Sequence, residues 1–182
     1  MSKRAFRAVA LGALVMLIVV SANAVAGGDA RNFRASPLNG YEENPDISTV
    51  ARGSFEARLI NDGTTLRYEL RFSRLEAAVT QSHIHFAKRA VNGGIAIWLC
   101  QTAANPAPAG TTPPTCPASG TVTGEVDASD VVGPAGQGIE AGAFAEIVKA
   151  MRAGHAYVNV HSAKFPGGEI RAQIRAVDGD DD

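Results

Sequence analysis

Cysteine is scarce in this chain, with two residues in 182. A zinc site of four thiolates is excluded within one copy, and any metal site must lean on histidine and carboxylate. Histidine is scarce too, with only four. Charge of one sign is missing: Lys and Arg number 17, Asp and Glu 18, for a net charge of -1. That balance argues against a nucleic-acid partner, which selects for a basic excess. A long apolar run is missing as well, since the apolar N-terminal run, residues 8–20, falls short of the roughly 20 residues of a membrane-spanning helix. What is present suits a globular chain. Hydrophobic residues make up 46% and charged ones 19%, enough to build a core and too apolar for wholesale disorder. The length is room for one domain, not two.

The N-terminus reads as an address. Lys3, Arg4 and Arg7 form a positive region ahead of the apolar stretch, and Ala22-Asn23-Ala24 and Ala24-Val25-Ala26 then fit the small-x-small cleavage rule. The expectation is a signal peptide over 1–26, cut after Ala26, with Ala24 as the second choice. No cysteine lies near the cut, so a lipid anchor is not expected. Taking those three basic residues from the 17 leaves 14 against 18 acidic ones. The mature chain is then mildly acidic, secreted or periplasmic, with no further membrane span. Residues 27–32 (GGDARN) read as a flexible leader, 33–176 as one domain and 177–182 as an acidic tail.

Between those ends the pattern is β. In residues 53–60, Phe55, Ala57 and Leu59 share one face. After the turn Asn61-Asp62-Gly63, residues Leu66, Tyr68, Leu70 and Phe72 alternate with Arg67, Glu69 and Arg71. Two such runs around a Gly-bearing turn predict a hairpin. The apolar run 95–99 (IAIWL) predicts a strand buried on both faces, and 121–126 a further short strand. Phe144, Ile147, Val148 and Met151 follow helical spacing, which predicts one short helix between Gly142 and Ala153. Alternation then returns over 155–161 and 169–175. In these, Ala156, Val158, Val160, Ile170, Ala172 and Ile174 face the core, and His155, Tyr157, Asn159, His161, Glu169 and Arg171 face away. The fold class is all-β, an antiparallel sandwich of Greek-key-like, superoxide-dismutase-like type with one helix.

Cys100 and Cys116 bracket a loop rich in Pro, Ala and Thr. Their spacing excludes a CxxC redox pair, and an exported chain meets an oxidising compartment, so a disulfide is expected. Closing a loop of about 15 residues is worth roughly 3 kcal/mol.

The candidate chemistry lies in histidine. His83 and His85 stand two apart on a strand, so both rings leave one face. His161 ends another strand on its polar side. If the two strands are neighbours the three rings converge, a set suited to Cu or Zn. The same rings can instead make structural hydrogen bonds, with Glu169, next to Arg171, orienting an imidazole through its N–H. No Ser-His-Asp spacing, phosphate loop or paired-carboxylate motif stands out, so no catalytic residue is assigned and no enzyme is expected. The polar strand face formed by Tyr157, Asn159, Glu169 and Arg171 is a further candidate, as a contact surface for an extracellular or envelope partner.

Several motifs together carry a resemblance. His83-Ile84-His85, Asn92-Gly93-Gly94, the stretch 154–162 (GHAYVNVHS) and 166–171 (PGGEIR) resemble the CHRD domain, first named in chordin and found singly in exported bacterial proteins. Phe33, Leu38-Asn39-Gly40 and the segment 42–45 resemble its opening. Asp46 stands where the family shows a second proline, Phe86-Ala87-Lys88 replaces a glycine-bearing turn, and Ala172 replaces a glycine. The resemblance implies a β-rich extracellular module whose biochemical role is open. His-x-His on a sandwich strand is also similar to the copper side of Cu/Zn superoxide dismutases, but four histidines are too few for that dinuclear set. The reading is therefore a non-catalytic exported module for binding or surface structure, with a single-metal Cu or Zn protein as the alternative.

Overall fold

The structure, a computed structural model, describes residues 30–177. The signal peptide expected over 1–26, the first part of the expected leader and residues 178–182 of the expected acidic tail lie outside the described residues. Among the described residues there are nine strands: β1 (Asn32–Leu38), β2 (Arg52–Ile60), β3 (Thr65–Ser73), β4 (Val79–Phe86), β5 (Gly94–Cys100), β6 (Gly120–Val126), β7 (Ala156–Ser162), β8 (Ile170–Gln173) and β9 (Arg175–Val177). They form two sheets, ordered β6-β3-β2-β1-β9 and β5-β4-β7-β8, and all ladders are antiparallel. The all-β sandwich expected from alternation is the fold.

The β2–β3 hairpin shows why alternation works. Phe55, Leu59, Leu66 and Leu70 are fully buried on its inner face, while Arg58 and Arg67 oppose each other on the outer face. The turn places Asn61, Asp62 and Gly63 at positive φ, which Asn, Asp and Gly tolerate best. The second sheet answers with Ile84, Ile97, Leu99, Val158, Val160 and Ile170. The Tyr68 hydroxyl, caught in this core, donates to the Leu99 carbonyl at 2.6 Å and so ties the sheets together. The helix α1 (Phe144–Arg152) lies inside the expected window and buries Phe144, Ile147, Val148 and Met151. Gly154, at φ 70°, stops it. Cys100 and Cys116 are disulfide-bonded, with Cα atoms 5.0 Å apart. Among the described residues no helix is long and apolar enough to cross a membrane.

The structure corrects the sequence reading in several places. Asn32 and Val177, read as the end of the leader and the start of the tail, are strand residues paired with each other. The run 169–175, read as one strand, is two. β8 pairs with β7, the chain breaks at the buried Ile174, and β9 crosses to pair with β1 in the other sheet. Alternation reports which way a side chain points, not which sheet its backbone joins, so the crossing leaves no mark on the period. In β5, Ile95 and Trp98 keep partial exposure, so that strand is not closed on both faces.

The largest correction concerns the polar face. Every residue of β7 is buried, and Tyr157, Asn159, Glu169 and Arg171 are each 2% exposed or less. Connecting segments lie over this side of the four-stranded sheet and form a second, polar interior. Arg171 donates to Asn92 Oδ1 at 3.1 Å and to the Val91 carbonyl at 2.8 Å. Asn39 bridges to Arg171 through both backbones. Glu169 accepts from Thr49 Oγ1 at 2.8 Å and from the Glu76 amide at 2.9 Å. These four side chains do not offer a surface to a partner.

Candidate metal centre

β4 and β7 are direct neighbours, with His83 opposite Asn159 and His85 opposite Tyr157. The period of 2 then aims His83, His85, Tyr157, Asn159 and His161 to the covered polar side while Ile84, Val158 and Val160 fill the sandwich core. The three histidines converge. One ring nitrogen from each lies within 4.8 Å of the others, and His83 Nδ1 is 3.2 Å from His161 Nε2. Three nitrogens bound tetrahedrally at about 2.0–2.1 Å from one zinc ion would lie roughly 3.3 Å apart. His155, the fourth histidine, is exposed and takes no part.

Backbone carbonyls fix two tautomers. His85 Nδ1 lies 3.0 Å from the Gly93 carbonyl and His161 Nδ1 lies 2.9 Å from the Pro166 carbonyl. A carbonyl oxygen only accepts, so both Nδ1 atoms carry the proton and both Nε2 atoms present lone pairs. These lone pairs face Asn159 Oδ1, at 3.1 Å from His85 and 3.0 Å from His161. His83 Nε2 is buried with no hydrogen-bond partner among the described residues. Acceptors facing acceptors repel. Either a cation among them or an Asn159 amide turned to present its NH2 relieves that repulsion. The donor set, three imidazoles with an amide oxygen beside them, fits one Cu or Zn ion.

Electrostatics agrees with neutral rings. Burial, joined by repulsion from His161 and His85, pushes His83 down to about 2. Burial pushes His85 down to about 4 against the pull of its Gly93 hydrogen bond, and it lowers His161 too. Deprotonated imidazole is the form a metal needs.

Aromatic packing locks the rings. The Trp98 indole meets His83 edge-on at 4.3 Å between centroids. Tyr157 stacks on His85 at 4.7 Å with an interplanar angle of 1°, and the Arg171 guanidinium sits 3.4 Å from the Tyr157 ring centre. Arg171 therefore braces the site through Tyr157. Glu169, expected to orient an imidazole, contacts Thr49 and Glu76 instead; the backbone carbonyls of Gly93 and Pro166 do that work. Gly93 is fixed in turn, because a Cβ there would run into the Phe86 carbonyl.

The sequence reading missed Asn159 as the link between rings, Trp98 as their packing partner, and Glu43. Asn159 shares the parity of His161 two positions on, a signal that was available. Glu43 is buried, Arg171 is among the charges acting on it, and burial raises its carboxyl to about 7. A Cβ at Gly168 would come within 2.5 Å of Glu43 Oε1 and 2.9 Å of Asn159 Nδ2, so the absence of a side chain at 168 leaves room for both. Nothing in the local pattern around Glu43 marks it, since its surroundings come from β7, β8 and the turn between them.

No curated protein and no solved structure matches this chain. The family model described as the CHRD domain matches residues 34–174, a stretch that begins in β1, ends after β8 and contains every residue of the histidine centre. The chain belongs to the CHRD domain family.

Proposed function

We propose that this CHRD-domain protein is an exported, non-catalytic module that holds one Cu or Zn ion on His83, His85 and His161. The observation that carries the reading is the tautomer count: two carbonyls fix the Nδ1 protons of His85 and His161, so two lone pairs and the His83 ring converge on one point. Burial of all three rings supports a closed site that stores or is stabilised by its ion, rather than a catalytic one with an open coordination position. Export is supported by the N-terminal charge, apolar run and cleavage pattern.

Calorimetric titration of chelator-stripped protein with Zn(II) and with Cu(II) tests the site. One equivalent should bind with micromolar affinity or tighter, and His85→Ala and His161→Ala should each abolish it. Trp98, the single tryptophan, packs on His83 and gives a second readout, because Cu(II) at the site should quench its emission. If the protein binds neither ion more tightly than the His85→Ala, His161→Ala double variant, the histidines and Asn159 are a structural hydrogen-bond network.

A further inference from the structure

A second site lies elsewhere and shares no residue with the histidine centre. A cleft of about 310 Å³ opens beside β1 and β9, and three arginines line it: Arg34, Arg89 and Arg175. They come from three separate parts of the chain. Arg34 is on β1, Arg175 is directly opposite on β9, and Arg89 follows β4 in the other sheet. Like charges directly opposed across an antiparallel ladder repel, and here a third cation is added to the pair. The local acids offset this in part: Glu42 pairs with Arg89, and Glu56 lies 3.7 Å from Arg34. Arg175 has no ion-pair partner among the described residues. Arg58 and Arg67 are opposed in the same way on β2 and β3, but Arg67 is held 2.8 Å from Glu125. The concentration of cations is local, in a chain with a slight acidic excess overall.

We infer that this cleft binds a small organic oxyanion. Guanidinium groups present planar forks of donors that match carboxylate and phosphate oxygens. The volume is at the lower end of small-molecule pockets, and Pro37 and Val177 add apolar wall. The ligand class is one phosphate or carboxylate group on a short apolar body.

Calorimetry on chelator-stripped protein tests this with phenyl phosphate, inorganic phosphate, benzoate and neutral benzyl alcohol. Phenyl phosphate or benzoate should bind at least tenfold more tightly than benzyl alcohol, and the stronger of the two identifies the head group. Inorganic phosphate should bind more weakly than phenyl phosphate if the apolar wall contributes. Arg175→Gln and Arg89→Gln should each weaken binding at least tenfold, and Glu42→Gln should strengthen it. Arg175→Gln also removes a repulsive neighbour of Arg34, so its melting temperature should equal or exceed that of the parent, which separates lost binding from lost folding. The inference is overturned if no anion binds more tightly than benzyl alcohol, or if the folded Arg175→Gln protein binds the anions as well as the parent.

Discussion

Two imidazoles of the cluster, His85 and His161, are each held by a carbonyl that sets the proton. The Gly93 and Pro166 carbonyls decide tautomers, Asn159 spans two rings, and burial keeps the rings neutral. The pH dependence follows. A buried histidine whose pKa is lowered in the native state binds fewer protons than it does unfolded, so its contribution is present above the unfolded value near 6.5 and is lost as pH falls towards the native value. For His85, moving from 6.5 to about 4, the loss is about 3 kcal/mol at the acid end of that window. Glu43 works in the opposite direction. Its raised carboxyl favours the folded state at low pH, and that contribution disappears as pH rises from about 4.5 to about 7. Metal-free protein should therefore lose stability from pH 6.5 to pH 4, and Glu43→Gln should lose it more steeply over the same range. Denaturant unfolding at a series of pH values checks both, and a flat profile in metal-free protein would count against buried neutral rings.

Among the elements, the loop between β5 and β6 is the one whose order depends on a covalent tie. Cys100 ends β5 and Cys116 lies 16 residues on. The loop has some order of its own: Cys116 N donates to the Gln101 carbonyl at 2.9 Å, and Gln101 N donates to the Pro114 carbonyl at 3.0 Å. Replacing both cysteines by serine should lower stability by about 2–3 kcal/mol, chiefly because the unfolded loop regains entropy. The loss should show as a lower melting temperature with the fold retained. An unchanged melting temperature would mean that those backbone bonds alone hold the loop. Because Trp98 precedes Cys100 on the strand beside His83, Trp98 emission in the double serine variant also reports whether the tie steadies the metal centre.

At the scale of the molecule, two interiors share one sheet. The inner face of β4 and β7 packs into the apolar core between the sheets, and their outer face carries the histidine cluster beneath the connecting segments. A strand buried on both faces excludes water from its polar side as well as its apolar side, which depresses the imidazole pKa values and sharpens the need for a partner at each nitrogen. Protein recovered from an extracytoplasmic fraction of its native host should have the intact mass of a chain starting at Gly27, two mass units lighter for the disulfide. A chain that retains Met1 in the membrane fraction would overturn the exported reading.

Much of this was legible in the residues alone. Period-2 alternation in 53–60, 66–72 and 156–161 depends on which side of a strand is apolar, so it identified the strands, their inner faces and the sandwich class. Helical spacing from Phe144 to Met151 located α1, and the shared parity of His83 and His85 put both rings on one side of β4. Tertiary structure decided the rest, because each remaining feature depends on contacts between residues far apart in the chain. Pairing of β4 with β7 brought His161 to His83. Connecting segments buried a strand face that alternation alone assigns to water. The break at Ile174 sent β9 to the other sheet, where Arg175 came to oppose Arg34. A local pattern encodes the direction of a side chain; what lies over that side chain is set by the path of the whole chain.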